Sequence, residues 1–301
     1  MYFLKVTERK SQLKYFALPF IFLFSLFSLV SCTSTNYVNS GYIETSLSIP
    51  HNTYTIPAIL TLPVDKEDNP LVIMVHGTGS CKDEEGNAYL MLAHDLAENG
   101  IGSIRFDFPG CGDSQVSYLL YCNSEAVSHI QEIAQYASSL EGIDASRIGL
   151  LGRNEGGTDV ILAASESNTF RSIATWTASL DTIGSITTEE KVNAILYGSI
   201  PLNFDWRSSL PLSYKWIQEA ENMDVLGSVQ TIKAPIATFH GTLDTVTPYT
   251  DSEKIQKAST NSESTFYPIF GANHSFDLFS GDLSHFKDVE QKTIQWFKET
   301  L

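Results

Sequence analysis

The chain has 301 residues, of which 43% are hydrophobic and 18% are charged. This composition is typical of a globular protein with a substantial core, in one or two domains. The 35 acidic residues outnumber the 19 lysines and arginines, so the formal net charge is −16. Such a balance argues against nucleic acid and against an anionic lipid surface as partners bound through charge.

The first 31 residues have the layout of a secretory signal. Lys5, Arg9, Lys10 and Lys14 precede an apolar block at 15–30. The block is shorter than the ~20 apolar residues of a spanning helix, so we favour a cleaved signal over the alternative of an uncleaved anchor.

The signal segment ends in Leu-Val-Ser-Cys at Cys32. This ending resembles a bacterial lipobox, which implies that Cys32 becomes lipidated. We therefore expect an exported lipoprotein that faces the periplasm or the cell surface and is attached to its membrane by acyl chains.

Three further cysteines follow, at Cys81, Cys111 and Cys122, an odd number for an exported protein. The first two lie in loops after adjacent predicted strands, so a disulfide between them and isolated thiols are both open alternatives. Their spacing does not match a zinc motif, and we expect no metal or other cofactor.

After a polar tether at 32–41, the sequence alternates between strand and helix patterns. Segments 42–49 and 54–62 have the alternation of an antiparallel strand pair. Buried strands are predicted at 71–75, 101–106, 148–151, 171–178, 235–239 and 265–270, and helices at 87–98, 125–140, 155–164 and 285–300. This order predicts an α/β fold with a mainly parallel sheet and helices on both faces.

Residues 180–229 interrupt that alternation. They contain several aromatic side chains and no clear buried strand. We predict an insertion above the carboxyl ends of the strands, where it either roofs a pocket or packs as a peripheral subdomain.

A sharp corner is predicted at 152–156, which reads Gly-Arg-Asn-Glu-Gly. It follows a short apolar strand and precedes a helix, as in the Gly-x-Ser-x-Gly nucleophile elbow. The central residue is Asn154. Asparagine tolerates a positive φ better than most residues, but a carboxamide has no hydroxyl or thiol that a base could activate. The sequence therefore predicts an elbow that keeps its shape and lacks its nucleophile.

Five blocks together resemble the α/β-hydrolase superfamily. They are His-Gly-Thr-Gly at 76–79, Arg-Phe-Asp-Phe-Pro-Gly-Cys-Gly-Asp-Ser at 105–114, the corner at 152–156, His-Gly-Thr-Leu-Asp-Thr-Val-Thr-Pro at 240–248 and Gly-Ala-Asn-His at 271–274. The resemblance is to bacterial carboxylesterases of the cinnamoyl or feruloyl esterase type, with serine aminopeptidase-like hydrolases nearby. It implies an α/β-hydrolase domain over 42–301 with a cap insertion at about 180–229.

The resemblance also implies a catalytic site. Asn154 occupies the nucleophile position, Asp244 that of the triad acid and His274 that of the base, in the chain order of this fold. The backbone N–H groups of Thr78 and Glu155 are the implied oxyanion hole. The side chain of Glu155 is expected to point away from the site.

Three hypotheses follow from these residues. In the first, serine-type ester hydrolysis is lost or strongly reduced, and the protein binds a small ester-, acyl- or peptide-like ligand. In the second, the protein is a weak carboxylic ester or peptidase-like hydrolase in which His274 activates water beside the oxyanion hole. The third is an inactivated variant of a working serine esterase. No feature of the sequence indicates an oligomeric state.

Overall fold

The computed structural model describes residues 36–39, 41–64, 66–184 and 186–301. The predicted signal segment and Cys32 lie outside these residues. Within the described part of the chain, no helix combines the length and apolar character needed to cross a membrane.

Nine strands of the described chain form one sheet, in the order β1-β2-β3-β5-β4-β6-β7-β10-β11. Six of these strands run parallel, namely β5, β4, β6, β7, β10 and β11, whereas β1, β2 and β3 extend one edge in antiparallel pairs. Their bounds are β1 (Asn36–Val38), β2 (Tyr42–His51), β3 (Tyr54–Pro63), β4 (Asn69–Val75), β5 (Gly102–Phe106), β6 (Ile143–Arg153), β7 (Phe170–Trp176), β10 (Ile236–Gly241) and β11 (Thr265–Ile269).

Helices cover both faces of this sheet. On one face lie α1 (Ala88–Glu98) and α8 (Ser284–Thr300), and on the other α2 (Asn123–Ala137), α3 (Glu155–Glu166) and α7 (Tyr249–Ala258). Strand β4 is buried at every position because alternate side chains enter the two cores: Ile73 packs on the α2 side and Val72 on the α1 side. Burial on both faces explains why its sequence is a continuous apolar run. The predicted α/β architecture is confirmed.

The cap lies between β7 and β10. It consists of α4 (Thr188–Tyr197), β8 (Ser199–Leu202), β9 (Leu210–Ser213), α5 (Tyr214–Glu221) and α6 (Val225–Thr231). Strands β8 and β9 form a separate antiparallel pair that the sequence did not reveal. Each has four residues, and Pro201 faces Pro211 across the pair, so neither segment shows the length or composition expected of a strand.

The segment predicted as a tether requires a correction. Asn36–Val38 pairs with β2 and forms the edge strand of the main sheet. The folded domain therefore begins before residue 42, because this three-residue stretch finds hydrogen-bond partners on an open sheet edge.

Candidate active site

The corner predicted at 152–156 connects β6 to α3 at the centre of the sheet. Asn154 has φ 52° and ψ −118°, a conformation outside the left-handed helical region and populated mainly by glycine. Gly152 and Gly156, on either side, are required because a side chain at either position would clash with the backbone. A Cβ on Gly152 would lie 2.1 Å from the carbonyl oxygen of Gly156, and a Cβ on Gly156 would lie 2.4 Å from that of Val75.

The carboxamide of Asn154 is half-buried in the corner. Its Oδ1 accepts a hydrogen bond from the hydroxyl of Thr78 at 3.1 Å, and its backbone N–H donates to the carbonyl of Trp176 at 2.9 Å. Among the hydrogen bonds of the described residues, none joins Asn154 to His274. The side chain of Asn154 is therefore held by the loop that carries Thr78.

Asp244 and His274 meet where two neighbouring parallel strands end. Asp244 follows β10 and His274 follows β11, and the imidazole Nδ1 lies 2.7 Å from the carboxylate Oδ2. Burial would raise the pKa of Asp244, but hydrogen bonds from His240 and His274 outweigh it and hold this pKa well below its usual range. The carboxylate is therefore ionised, and its hydrogen bond fixes the orientation of the His274 ring.

His240 and Thr247 also hold this carboxylate, and the sequence did not single them out. The fully buried His240 has Nε2 3.0 Å from Asp244 Oδ2 and Nδ1 2.8 Å from the hydroxyl of Ser252. The backbone N–H of Thr247 donates to Asp244 Oδ1 at 3.0 Å, and its hydroxyl donates to Oδ2 at 3.1 Å. The only sequence signal for His240 is its position four residues before the acid.

A buried polar network fixes the loop after β4. His76 bonds the carbonyl of Gly77 through Nδ1 at 2.8 Å and accepts the backbone N–H of Phe108 at Nε2. Glu84 accepts the backbone N–H of Gly77 at 2.8 Å and pairs with Arg153 at 2.6 Å. Burial alone would raise the pKa of Glu84, but the Arg153 guanidinium outweighs it and lowers that pKa. An ion pair thus connects the loop to Arg153, the residue before Asn154 in the corner.

The backbone N–H groups of Thr78 and Glu155 have no protein acceptor among the described residues. Thr78 lies in the loop after β4, and Glu155 is the first residue of α3, where the first amides of a helix lack intrahelical partners. Two donors therefore remain for an oxygen atom of a ligand.

The side chain of Glu155 does not point away from the site, as the sequence reasoning expected. It is buried, accepts the Thr78 hydroxyl at 2.7 Å, and accepts the indole N–H of Trp216 at 2.5 Å. Burial raises the pKa of Glu155. Asp159, one turn along α3, is also fully buried, and burial together with the charge of Glu155 raises its pKa as well. The carboxyl of Glu155 ties the corner to α5 of the cap.

A cavity of about 760 Å³ lies between the corner and the cap. Its wall includes Asn154, Glu155, Thr78 and Thr247 from the hydrolase side, and Trp216 with neighbouring apolar side chains from the cap. The insertion over 180–229 therefore contributes to the wall of a pocket, as one of the two sequence alternatives predicted.

A group of potential metal ligands lies away from this cavity. Among the described residues, the grouping of histidine, cysteine and carboxylate side chains close enough to share an ion is His51, Glu125 and His129, none of which lines this cavity. Cys81, Cys111 and Cys122 are free thiols, so the disulfide alternative is not realised.

Comparison with known proteins gives a family and a fold. A family model described as the prolyl oligopeptidase family, Peptidase_S9, matches residues 122–301, which is more than half of the chain. No curated protein matches the sequence significantly.

Similar solved structures include Est1E from Butyrivibrio proteoclasticus with ferulic acid bound, at 21% identity and a TM-score of 0.69, covering 84% of this chain and 98% of that one. A monoacylglycerol lipase from Paleococcus ferrophilus has 18% identity, a TM-score of 0.64, and coverage of 82% and 99%. The α/β hydrolase GrgF from Penicillium sp. sh18 has 16% identity, a TM-score of 0.72, and coverage of 85% and 98%. These similarities confirm the predicted α/β-hydrolase fold. With the sheet order, the corner between β6 and α3 and the family match in agreement, the chain belongs to the prolyl oligopeptidase family.

Proposed function

We propose that this protein is an exported lipoprotein whose α/β-hydrolase domain binds a small ester-, acyl- or peptide-like ligand and has lost serine-type hydrolysis, wholly or in large part. The observation that carries the proposal is Asn154, a carboxamide at the corner where the family's elbow places its nucleophile. Formation of an acyl-enzyme requires a hydroxyl or thiol there.

Among the described residues, neither Thr78 nor Thr247 replaces the missing hydroxyl. Thr78 donates towards Asn154 and Glu155 and has no hydrogen bond to His274 among the described residues. Thr247 approaches His274 at 3.5 Å, but it does so at Nδ1, the nitrogen already bonded to Asp244. A nucleophile must meet the opposite nitrogen, Nε2.

The ligand class follows from the chemistry of the cavity wall. The two unpartnered amides of Thr78 and Glu155 suit a carbonyl oxygen, while Leu202, Leu212 and Trp216 supply apolar surface for a substituent. Peptide-like ligands are supported by the family, and ester-like ligands by the esterase and lipase folds to which the chain is similar.

The second candidate is a weak hydrolase in which His274 acts as a base towards water. It is favoured by the intact Asp244–His274 hydrogen bond and by the absence of a protein partner at His274 Nε2 among the described residues. Serine proteases without their triad retain about 10³–10⁴-fold acceleration over water, so slow turnover is the expectation for this mechanism.

Asn154→Ser is the experiment that tests the proposal. The full-length protein, purified in detergent, is incubated with a fluorophosphonate probe and with p-nitrophenyl acetate. We expect no labelling of the wild type and turnover at or near the buffer rate. We expect the serine variant to be labelled at residue 154 and to gain at least about 100-fold in ester hydrolysis, because a nucleophile then joins an existing base.

Two controls make the outcome specific. Asn154→Ala should remain unlabelled, and the double variant Asn154→Ser, His274→Ala should lose the gain. Stoichiometric labelling of the wild type, or fast hydrolysis by the wild type that His274→Ala abolishes, would refute the proposal. Slow hydrolysis that depends on His274 without probe labelling would select the water mechanism.

The export proposal has a separate test at Cys32. Cells supplied with a labelled fatty acid should yield an acylated wild-type protein. The Cys32→Ala variant should remain unacylated and retain its signal segment. Acylation that survives this substitution would contradict the lipoprotein assignment.

A further inference from the structure

A second cluster of reactive side chains lies where the turn between β2 and β3 packs on α2. His51 ends β2 and Tyr54 begins β3, while Glu125, His129 and Glu132 share one face of α2 at the spacing of successive helical turns. The side chains of His51 and His129 have no solvent exposure, and Glu125 is 24% exposed. The two imidazoles are therefore enclosed, and the cluster contacts solvent through Glu125, Glu132 and the partly exposed Tyr54.

Four polar atoms of this cluster converge. Nε2 of His51 lies 2.8 Å from Oε1 of Glu125, and the Tyr54 hydroxyl lies 2.8 Å from the same Oε1 and 2.9 Å from Nε2 of His129. Nε2 of His129 is 3.8 Å from Oε1 of Glu125. The ligand atoms of His51, Glu125 and His129 all lie within 4.8 Å of one another.

These spacings bracket those in the ligand shell of a small metal ion. Zinc bonds to histidine nitrogen and carboxylate oxygen are about 2.0–2.2 Å long, which places tetrahedral ligand atoms roughly 3.3–3.6 Å apart. The observed separations fall on both sides of that value, from 2.8 Å to at most 4.8 Å, so side-chain adjustments of about 1 Å would complete the shell.

Hydrogen bonding alone leaves His129 poorly satisfied. Its Nδ1 is buried without a partner. Its Nε2 lies 2.9 Å from the Tyr54 hydroxyl, and that hydroxyl donates its proton to Glu125 Oε1. A cation at the point of convergence would accept lone pairs from His129 and Glu125 at the same time.

His51 is oriented as a metal ligand would be. Its Nδ1 lies 2.5 Å from Oε2 of Glu132, so the carboxylate favours the tautomer with the lone pair on Nε2. That nitrogen faces Glu125 and also lies 3.0 Å from Nδ2 of Asn52, which a bound ion would displace. Carboxylate–histidine pairs of this kind support the ligands of most histidine metal sites.

We propose that His51, Glu125 and His129 bind a divalent first-row transition metal, with the Tyr54 oxygen or a water as fourth ligand. Two imidazoles and one carboxylate suit zinc-like ions better than Mg²⁺ or Ca²⁺, which prefer oxygen ligands. The ion joins the β2–β3 turn to α2. His129 stacks on Phe108 with ring centroids 6.0 Å apart, and the N–H of Phe108 is bonded to His76 of the loop that carries Thr78. The proposal is independent of the function assigned to Asn154.

Zinc titration of the full-length protein, expressed without a histidine tag and stripped with a chelator, tests this site. Competition against a chromophoric zinc chelator should give one tight site per chain, and Mg²⁺ should not compete. Zinc should raise the melting temperature of the stripped protein. Cobalt in place of zinc should give visible absorption bands of a four-coordinate ion.

Glu125→Gln and His129→Ala should each remove the tight site. The first keeps an oxygen that can accept the Tyr54 hydroxyl, so its fold is preserved and its result decides the matter if His129→Ala fails to fold. Glu132→Gln should retain the site with affinity lowered about 10–100-fold, because the support of His51 is weakened. His94→Ala is the matched control, since His94 stacks on Tyr42 outside the cluster, and it should bind zinc as the wild type does. A wild type without a tight site, or tight binding unchanged in Glu125→Gln, would overturn the proposal.

Discussion

At position 154 the glycine variant should be more stable than the alanine variant, whereas at an ordinary helical position alanine is the more stable of the two. Asn154 has φ 52° and ψ −118°, a region where a residue with a Cβ stores about 1–3 kcal/mol of strain. Glycine removes this strain and alanine keeps it.

The magnitude follows from three contributions. Both replacements lose the Thr78 hydrogen bond to the carboxamide, worth about 0.5–1.5 kcal/mol, so this loss cancels between them. Glycine loses about 0.5–1 kcal/mol more backbone entropy than alanine on folding. The difference that remains favours glycine by roughly 1 kcal/mol.

Urea unfolding followed by tryptophan fluorescence measures this difference. The control position is Gln291, which is exposed within α8. There alanine should be more stable than glycine by about 1 kcal/mol. If alanine were also the more stable by that amount at 154, the corner would be unstrained, and the comparison with a nucleophile elbow would fail.

Three further predictions concern the groups around the corner. Trp216→Phe should lower the free energy of unfolding by about 1.5–3 kcal/mol, because it leaves a buried oxygen of Glu155 without its donor; a loss under about 0.5 kcal/mol would contradict this. Glu155→Gln should change the pH dependence of stability. The pKa of Glu155 is raised in the folded state, so the contribution of Glu155 to stability is greatest below its ordinary pKa near 4.5 and is lost as pH rises through the folded value. An unchanged slope in unfolding experiments between about pH 4 and pH 8 would count against this prediction. Asp244→Asn should lower the free energy of unfolding at neutral pH and reduce the further loss of stability in acid. The pKa of Asp244 is lowered in the folded state, so its carboxylate stabilises the protein above its ordinary pKa of 3.8, and this contribution is lost as pH falls towards the folded pKa. Equal acid sensitivity of wild type and variant would refute this.

The sequence was most informative about the central sheet. Burial of β4 on both faces leaves an apolar run that can be recognised without knowledge of its neighbours. The β8–β9 pair was missed because each strand is short and contains proline, so its pairing depends on contacts within the cap. The strand at Asn36–Val38 was missed for a related reason: three residues are too short to show a strand pattern, and they become a strand because an open sheet edge lies beside them.

The site was predicted unevenly, according to how far along the chain its contacts reach. Asp244 and His274 follow neighbouring parallel strands, so motif and topology together predict that they meet, as their 2.7 Å separation shows; their catalytic roles remain predictions. The side chain of Glu155 contacts Thr78 and Trp216, which are 77 and 61 residues away in sequence. The sequence pattern around residue 155 carries no information about such distant partners, so the orientation of the Glu155 side chain was predicted wrongly.

Survival of the Asp244–His274 pair has a structural explanation that does not require catalysis. The carboxylate has no solvent exposure and accepts hydrogen bonds from His240, His274, Thr247 and the backbone of Val246. Loss of one donor leaves a buried charge incompletely satisfied, at a cost of about 1–3 kcal/mol or more. Stability alone would therefore favour His274 in a protein without a nucleophile at residue 154. The Asp244–His274 pair is therefore no evidence of activity. The decisive measurement is ester hydrolysis by the Asn154→Ser variant, which should rise if the rest of the site is complete and stay unchanged if it is not.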